Sequence, residues 1–259
     1  MDLGIAGRKA LITASSRGLG RACAEALAAE GVDVVINGLN EENLERAAEA
    51  IVSAHGVAVT PVRADINTSE GRQTLIDVCP DPDILVNNNW GPPPGDWVSF
   101  EYEDWLSAVE SNMLTPIMMI KSVVGGMRQR RFGRIVNITS QMVKSPFSVM
   151  GLSAGARTGL TAAAKALSRE VVKDNVTINN LLPERIDTER QVYMARQRAE
   201  SAGITYEKAR QEIIESIAAG RMGRPEEFGA ACAFLCSAQA GYISGQNLQL
   251  DGGSYRGTF

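Results

Sequence analysis

The stretch KALITASSRGLG, residues 9–20, decides the fold. Its apolar start, residues 9–13, predicts a short buried strand, and residues 18–30 have the periodicity of an amphipathic helix. A glycine-containing turn between a strand and a helix lets backbone N–H groups and the helix N-terminus bind a phosphate group. We therefore predict a phosphate-binding turn whose residues are Thr13, Ser15, Ser16, Arg17, Gly18, Leu19 and Gly20.

Strands and helices alternate along the rest of the chain. Short apolar runs predict strands at residues 9–13, 32–36, 57–62, 84–86, 134–138, 177–181 and 246–250. Segments with helical periodicity lie between them and include residues 18–30, 41–54, 105–130, 153–172 and 225–237. This alternation is typical of a parallel sheet covered by helices on both faces. We predict one α/β domain over residues 1–259, with a doubly wound sheet of seven parallel strands that binds ligands at the strands' carboxyl ends.

Composition excludes several classes of protein. A chain of 259 residues that is 44% hydrophobic suits a single domain with a substantial core, and a net charge of −4 argues against a nucleic-acid partner. The first residues, 1–5, do not resemble a secretion signal, and no apolar run approaches the ~20 residues of a membrane span. We therefore expect a cytoplasmic protein with no membrane partner. Four cysteines and a single histidine, His55, predict buried thiols and no metal site.

Several motifs resemble the short-chain dehydrogenase/reductase family, nearest its β-ketoacyl carrier-protein reductase branch. Residues 13–20 resemble its Thr-Gly-x-x-x-Gly-x-Gly turn, with Ala14 at the first glycine, and residues 87–91 (NNNWG) resemble its Asn-Asn-Ala-Gly. Residues 182–188 (LPERIDT) resemble its Pro-Gly-x-x-x-Thr, with Glu184 at the glycine. The likeness covers nearly the whole chain and implies a Rossmann fold, an NAD or NADP cofactor and a dimer or tetramer. Beyond the turn, the implied cofactor contacts are Asn37, Asp65, Ile66, Asn88, Trp90, Pro183, Ile186 and Thr188.

The predicted active site departs from the family at two positions. The family's serine is present as Ser140, but Ser153 and Arg157 occupy the places of its tyrosine and lysine. A serine hydroxyl is a far weaker acid than a phenol, and an arginine stays protonated, so neither replaces the usual proton donor. We predict that Ser140 polarises the substrate oxygen and that Arg157 orients the cofactor ribose. Asn112 would hold a water near the helix, and Lys144 is the candidate substitute proton donor, unless it is an exposed loop residue.

The end of the second strand predicts the cofactor preference. Enzymes that use NAD commonly place an acidic residue there on the adenosine ribose, whereas this chain has residues 37–40 (NGLN). Arg17 is placed to pair with a 2′-phosphate, so we favour NADP over NAD. Trp90 stands where the family has a glycine, and three roles remain open: stacking on the ligand, packing under residues 92–94, or blocking the groove.

Two further segments bear on substrate and partners. The charged helical stretch between residues 188 and 217, with Tyr193, is either a mobile lid over the substrate or an ordinary amphipathic helix. Arginines close two helices, and the family resemblance implies that they meet an acidic carrier protein; solvated helix ends are the alternative. These arginines are Arg128, Arg130, Arg131 and Arg169.

Three functions follow from these observations. The first is an oxidoreductase that moves hydride between NADP or NAD and a carbonyl or alcohol carbon of a small molecule, which the resemblance extends to carrier-bound substrates. The second is a cofactor-free enzyme that resembles the halohydrin dehalogenases, which Arg157 favours and Ser153 opposes. The third is a non-catalytic nucleotide-binding or scaffold homologue.

Overall fold

A computed structural model describes residues 2–258 and confirms the predicted sheet. All seven strands are parallel, in the order β3-β2-β1-β4-β5-β6-β7, so the strand order reverses between β1 and β4, where an open α/β sheet forms its ligand crevice. The strands are β1 (Lys9–Ile12), β2 (Asp33–Gly38), β3 (Val59–Arg63), β4 (Ile84–Asn87), β5 (Gly133–Ile138), β6 (Val176–Pro183) and β7 (Asn247–Leu250). The predicted domain, residues 1–259, includes Met1 and Phe259, which lie outside the described residues.

Helices cover both faces of this sheet. One apolar core packs Leu27, Leu44 and Phe228 against one face, and a second core packs Leu75 and Met119 against the other. The helices are α1 (Gly18–Ala29), α2 (Glu41–His55), α3 (Ser69–Val78), α4 (Tyr102–Val109), α5 (Thr115–Arg130), α6 (Gly151–Val171), α7 (Glu189–Ala202), α8 (Tyr206–Glu215) and α9 (Pro225–Cys236). Two separate cores on opposite faces confirm the doubly wound arrangement.

The predicted helix over residues 105–130 differs from the structure. It begins at Tyr102, and Glu110–Leu114 form a π-helical segment between α4 and α5. Pro116 has no N–H to donate to the carbonyl of Asn112, so the regular α-helical ladder cannot continue through this turn. The widened turn carries Asn112, and π-helical turns of this kind are frequent at functional sites.

The stretch between residues 188 and 217 is helical, as predicted. Helices α7 and α8 pack on each other around Ala195 and Ile213, which belong to a small cluster separate from the two main cores. Within residues 2–258, no helix combines the length and apolar character needed to cross a membrane. All four cysteines are buried, as predicted, and the described part of the chain has no cluster of potential metal ligands.

Candidate active site

A cavity of about 490 Å³ opens at the carboxyl ends of the strands. Its wall is built from the turn after β1, the ends of β2, β5 and β6, and the first turns of α6 and α7. The predicted site residues that line it are Ser16, Arg17, Gly18, Leu19, Asn37, Asp65, Ile66, Asn88, Trp90, Ser140, Ser153, Arg157, Pro183, Ile186 and Thr188. The structure therefore brings most of the predicted cofactor and substrate residues to one cavity.

Three predicted cofactor residues shape the glycine turn from behind the cavity wall. The Thr13 hydroxyl donates to the Asn88 carbonyl at 2.7 Å, and the Ser15 hydroxyl donates to the Ile12 carbonyl at 2.7 Å. A Cβ on Gly20 would lie 2.5 Å from the Ala14 carbonyl oxygen, so only glycine fits there. Thr13 and Ser15 therefore stabilise the turn through hydrogen bonds to backbone carbonyls, and Gly20 allows the backbone to pack closely there.

The glycine turn fits a bound pyrophosphate. Ala14 has a φ of 45°, a left-handed conformation that costs a methyl-bearing residue about 1–2 kcal/mol. The Asn37 amide oxygen accepts from the Ala14 N–H at 3.1 Å, and the Asn88 amide nitrogen donates to the Ala14 carbonyl at 2.9 Å, which holds this strained residue in place. In the described part of the chain no side chain caps the N-terminus of α1 at Arg17, so its first N–H groups remain available to an anion.

Replacing Gly20 by Ala should destabilise this turn. The added Cβ would meet the Ala14 carbonyl at 2.5 Å and the Asn88 amide nitrogen at 2.8 Å, and such overpacking typically costs about 1–3 kcal/mol. Gly125 is the matched control, because a Cβ there meets nothing within 4 Å in helix α5. Thermal unfolding and calorimetric titration with NADPH should show lower stability and weaker binding for Gly20→Ala only. Equal melting temperatures and affinities in the two variants would contradict the argument.

Ser140 and Ser153 face the cavity from neighbouring elements. Ser140 follows β5, and its hydroxyl oxygen accepts from the Met142 N–H at 3.2 Å, which leaves the hydroxyl proton available for a ligand oxygen. Ser153 lies near the start of α6 and is buried except for the cavity-lining part of its surface. Together they supply two hydroxyl groups to the substrate end of the cavity.

Arg157 is a buried cation behind these hydroxyls. Only 8% of the residue is exposed, and its Nη1 donates to the carbonyls of Ile138 and Thr139 at 2.7 and 2.8 Å. Burial and the nearby charge of Arg190 lower the pKa of Arg157 to about 10, so it is still protonated at neutral pH. The guanidinium is therefore a fixed positive charge at the end of β5.

Trp90 stands at the cavity wall between the glycine turn and α7. Its side chain is half exposed and meets Tyr193 edge to face, with ring centroids 6.4 Å apart. The guanidinium carbons of Arg17 and Arg190 lie 5.8 and 5.2 Å from the indole centroid, within cation–π range. The indole therefore contacts α7 and the glycine turn and keeps one part of its surface open to a ligand.

Lys144 lies outside the cavity that holds the predicted active-site residues. It ends the short 3₁₀ helix Gln141–Val143, which directs it away from Ser140. Its Nζ donates to the Gln249 side-chain oxygen at 3.2 Å and lies 5.4 Å from the Tyr255 ring centroid, and Lys144 does not line the cavity. The geometry gives the hypothesis of a proton-donating Lys144 no support.

Glu184 lines the cavity, although the sequence analysis gave it no role. It directly follows β6, whose Leu181 pairs with Ile138 of β5, so Glu184 and Ser140 leave neighbouring strand ends. Its Oε2 is buried and has no hydrogen-bond partner among residues 2–258. Burial raises the pKa of Glu184, the Asp251 charge raises it further, and Arg185 opposes both. The sequence signal that could have identified Glu184 is its departure from the glycine of the motif that residues 182–188 resemble.

Asn112 lies behind the cavity wall, in a small cavity of about 10 Å³ that Arg157 also lines. The side-chain oxygens of Asn112 and Asn87 are buried there without hydrogen-bond partners among the described residues. A space of this size with polar partners suits a single water. The arrangement fits the role predicted for Asn112, which stays a prediction.

The comparisons with known proteins agree with this architecture. A family model described as enoyl-(acyl carrier protein) reductase matches residues 13–255. The chain is 33% identical to the NADPH-dependent reductase BacG of Bacillus subtilis, covering 96% of this chain and 98% of that protein. It is 29% identical to the 3-oxoacyl-[acyl-carrier-protein] reductase FabG of Aquifex aeolicus, over 98% of this chain and all of that protein. L-sorbose reductase of Gluconobacter frateurii, solved with NADPH and L-sorbose, superposes with a TM-score of 0.93 at 29% identity, over 99% of this chain and 100% of that chain.

Proposed function

The chain belongs to the short-chain dehydrogenase/reductase family, and we propose that it is an NADP(H)-dependent oxidoreductase that transfers hydride between the cofactor and a carbonyl or alcohol carbon of a small molecule. The observation that carries this proposal is the single cavity in which the glycine turn and the Ser140, Ser153 and Arg157 cluster meet. The NADPH-dependent reductases among the relatives support the cofactor. The dehalogenase-like and scaffold alternatives gain no support from these relatives.

The chain's own residues would hold the cofactor and the reacting oxygen. The glycine turn and the uncapped N-terminus of α1 would bind the pyrophosphate, and Thr188 and Ile186, which line the same cavity, would border the nicotinamide. Bound NADPH would supply the hydride in reduction, and NADP would accept it in oxidation. Ser140 and Ser153 donate hydrogen bonds to the substrate oxygen, and the positive charge of Arg157 stabilises the negative charge that develops there. The predicted contact of Arg157 with the cofactor ribose stays a prediction.

In this proposal Glu184 is the proton donor, the role that the resemblance gives to the tyrosine that Ser153 replaces. Its carboxyl group has a raised pKa, so it holds a proton to a higher pH than an ordinary glutamate does. As hydride reaches the carbonyl carbon, the π pair of the C=O bond moves to the oxygen, which takes the proton from Glu184. The resulting carboxylate is reprotonated from solvent through the open side of the cavity. In the oxidation direction the same carboxylate accepts the alcohol proton.

Two measurements test the proposed function directly. Calorimetric titration with NADPH and with NADH should show binding of NADPH, and a panel of ketones and aldehydes should be reduced with loss of the nicotinamide absorbance. No binding at millimolar cofactor would overturn the proposal. Tight binding without turnover over the whole panel would instead favour the scaffold alternative.

Arg17 should decide the preference for NADP over NAD. Its exposed guanidinium lies at the mouth of the cavity, where charge-assisted hydrogen bonds to a 2′-phosphate are available. We expect Arg17→Gln to weaken NADPH binding about tenfold, ~1.4 kcal/mol, and to leave NADH binding nearly unchanged. Arg169→Gln, at the exposed end of α6 outside the cavity, is the matched control. An equal loss for both cofactors would assign Arg17 to the shared pyrophosphate instead.

We extend the proposal to the assembly of the protein and to carrier-bound substrates. We expect a homodimer or homotetramer, as the family resemblance implies. Docking of an acidic carrier protein has to compete with ion pairs that the helix-end arginines already make: Arg128 with Glu170 and Asp174 at 3.0 and 2.8 Å, and Arg130 with Asp81 at 2.5 Å. These pairs make free small molecules the better first substrates to test.

A further inference from the structure

Two arginines of the cavity point their guanidinium groups at the same space. A Cβ built on Gly91 would lie 3.3 Å from Nη2 of Arg157 and 3.8 Å from Nη2 of Arg190. Arg157 reaches this point from α6 and Arg190 from the first turn of α7. Glycine at position 91 therefore keeps open a space between two cations that come from different elements.

No carboxylate of the described chain balances this pair. Neither arginine has a carboxylate oxygen within 4.0 Å among residues 2–258, and no carboxylate contributes to the shift in either pKa. Burial lowers the pKa of both, and Arg190 lowers that of Arg157 further. Holding two partly desolvated like charges together without a counter-charge is unfavourable, so this arrangement favours the binding of an anion.

Arg190 also has an unused donor. Its Nη2 donates to the Pro92 carbonyl at 2.8 Å, which fixes the plane of the guanidinium. Its Nη1 is buried and has no hydrogen-bond partner in the described chain. The carbon of the group lies 5.2 Å from the ring centroids of both Trp90 and Tyr193, so two aromatic rings hold it in position. An oriented arginine with a buried, unpaired N–H is suited to bind a planar carboxylate.

We propose that Arg190, beside Nη2 of Arg157, binds a carboxylate group of the substrate, so that the substrate is a short oxo acid or the corresponding hydroxy acid. This inference rests on the proposed function, because it names the substrate class for the same cavity. Ser140, Ser153 and the arginine pair line the same cavity, so one small molecule can present its carboxylate to the arginines and its reacting oxygen to the two hydroxyls. A 2-oxo or 3-oxo acid satisfies both requirements. The cofactor pyrophosphate is the other source of anionic oxygens, but the glycine turn and α1 already provide its site.

Direct binding tests this inference without requiring turnover. Protein saturated with NADP is titrated calorimetrically with 2-oxobutanoate and 3-oxobutanoate, and each is compared with its methyl ester, which keeps the carbonyl and lacks the charge. We expect at least one acid to bind about tenfold or more tightly than its ester, the range of a charge-assisted hydrogen bond. Arg190→Gln should abolish this difference, and Arg190→Lys, which keeps the positive charge, should restore part of it. Arg196→Gln, on an exposed position of the same helix, should leave it unchanged.

The outcomes separate this inference from the proposed function. Equal affinity for acid and ester, no binding of either acid, or an unchanged preference in Arg190→Gln would overturn it even if other carbonyl compounds were reduced. Loss of NADP binding in Arg190→Gln with no selective loss of acid binding would assign the arginine pair to the cofactor and also overturn it. If the native protein binds no cofactor, the proposed function fails. The same acid and ester titrations on the cofactor-free protein then decide the carboxylate site by the same criteria.

Discussion

Replacing Glu184 by Gln is expected to lower kcat for carbonyl reduction by about 10²–10⁴-fold, because the amide keeps the shape of the side chain and cannot donate its proton to an oxyanion. The native rate should fall as pH rises through the raised pKa of Glu184, and this limb should be missing from the profile of the variant. Steady-state rates across a pH series, at saturating cofactor, measure both effects. Glu200→Gln, an exposed change on α7, is the control. A variant that keeps the native rate and profile would exclude Glu184 as the proton donor.

The same substitution has an independent effect on stability. The pKa of Glu184 is raised in the folded state, so the protonated form is favoured by folding and the ionised form is disfavoured. Its contribution to stability is therefore present below the pKa of the unfolded chain and is lost as pH rises through the raised folded value. Melting curves of native protein and Glu184→Gln should diverge toward alkaline pH, with the variant the more stable there. Parallel melting temperatures across the series would show that burial does not disfavour the charged carboxylate.

Replacing Arg157 by Met should impair both catalysis and folding. Removing one group that stabilises a developing oxyanion typically lowers kcat by about 10²–10³-fold. The substitution also leaves the buried carbonyls of Ile138 and Thr139 without their 2.7 and 2.8 Å donors, at about 1–3 kcal/mol for each buried polar group left unsatisfied. Denaturant unfolding and initial rates measure the two losses separately.

Arg157→Lys separates the effect of the positive charge from the effect of the hydrogen bonds to the Ile138 and Thr139 carbonyls. Lysine keeps the positive charge but cannot hold the fork-like geometry of a guanidinium, so we expect more activity than in Arg157→Met and incomplete recovery of stability. Arg169→Met, at the exposed end of the same helix, should leave both quantities near native values. Native kcat in Arg157→Met, in protein shown to be folded, would remove this residue from the proposed mechanism.

The sequence predicted the fold well because its signals are local. The apolar runs that became β1 to β7 and the helical periodicity between them depend on neighbouring residues, and the right-handed crossover rule then leaves few arrangements of a parallel sheet. The same logic brought Ser140 and the glycine turn together, because parallel strands end at one edge. Ser153 and Arg157, one helical turn apart on α6, followed from the 3.6-residue period.

The remaining features depend on contacts between distant segments. Lys144 is close to Ser140 in sequence, but the short 3₁₀ helix after Ser140 turns it toward Gln249. The orientation of the Arg190 guanidinium follows from its contacts with Trp90 and Pro92. Sequence periodicity does not predict such contacts. Burial of Glu184 likewise requires the assembled ends of β5 to β7 around it. Patterns along the chain predict elements and their edges, but not where a long side chain ends.

The small apolar cluster of α7 and α8 gives this segment a mechanical independence. Ala195, Ile213, Ile217 and Met222 pack on one another and belong to neither core of the sheet. A unit with its own interior can swing or open locally without exposing the interior of the layer beneath it, and its opening free energy is a small part of the global one. We therefore expect α7 and α8 to open locally at a smaller free-energy cost than unfolding of the sheet, so that substitutions in this segment change access to the cavity while the Rossmann sheet keeps its stability.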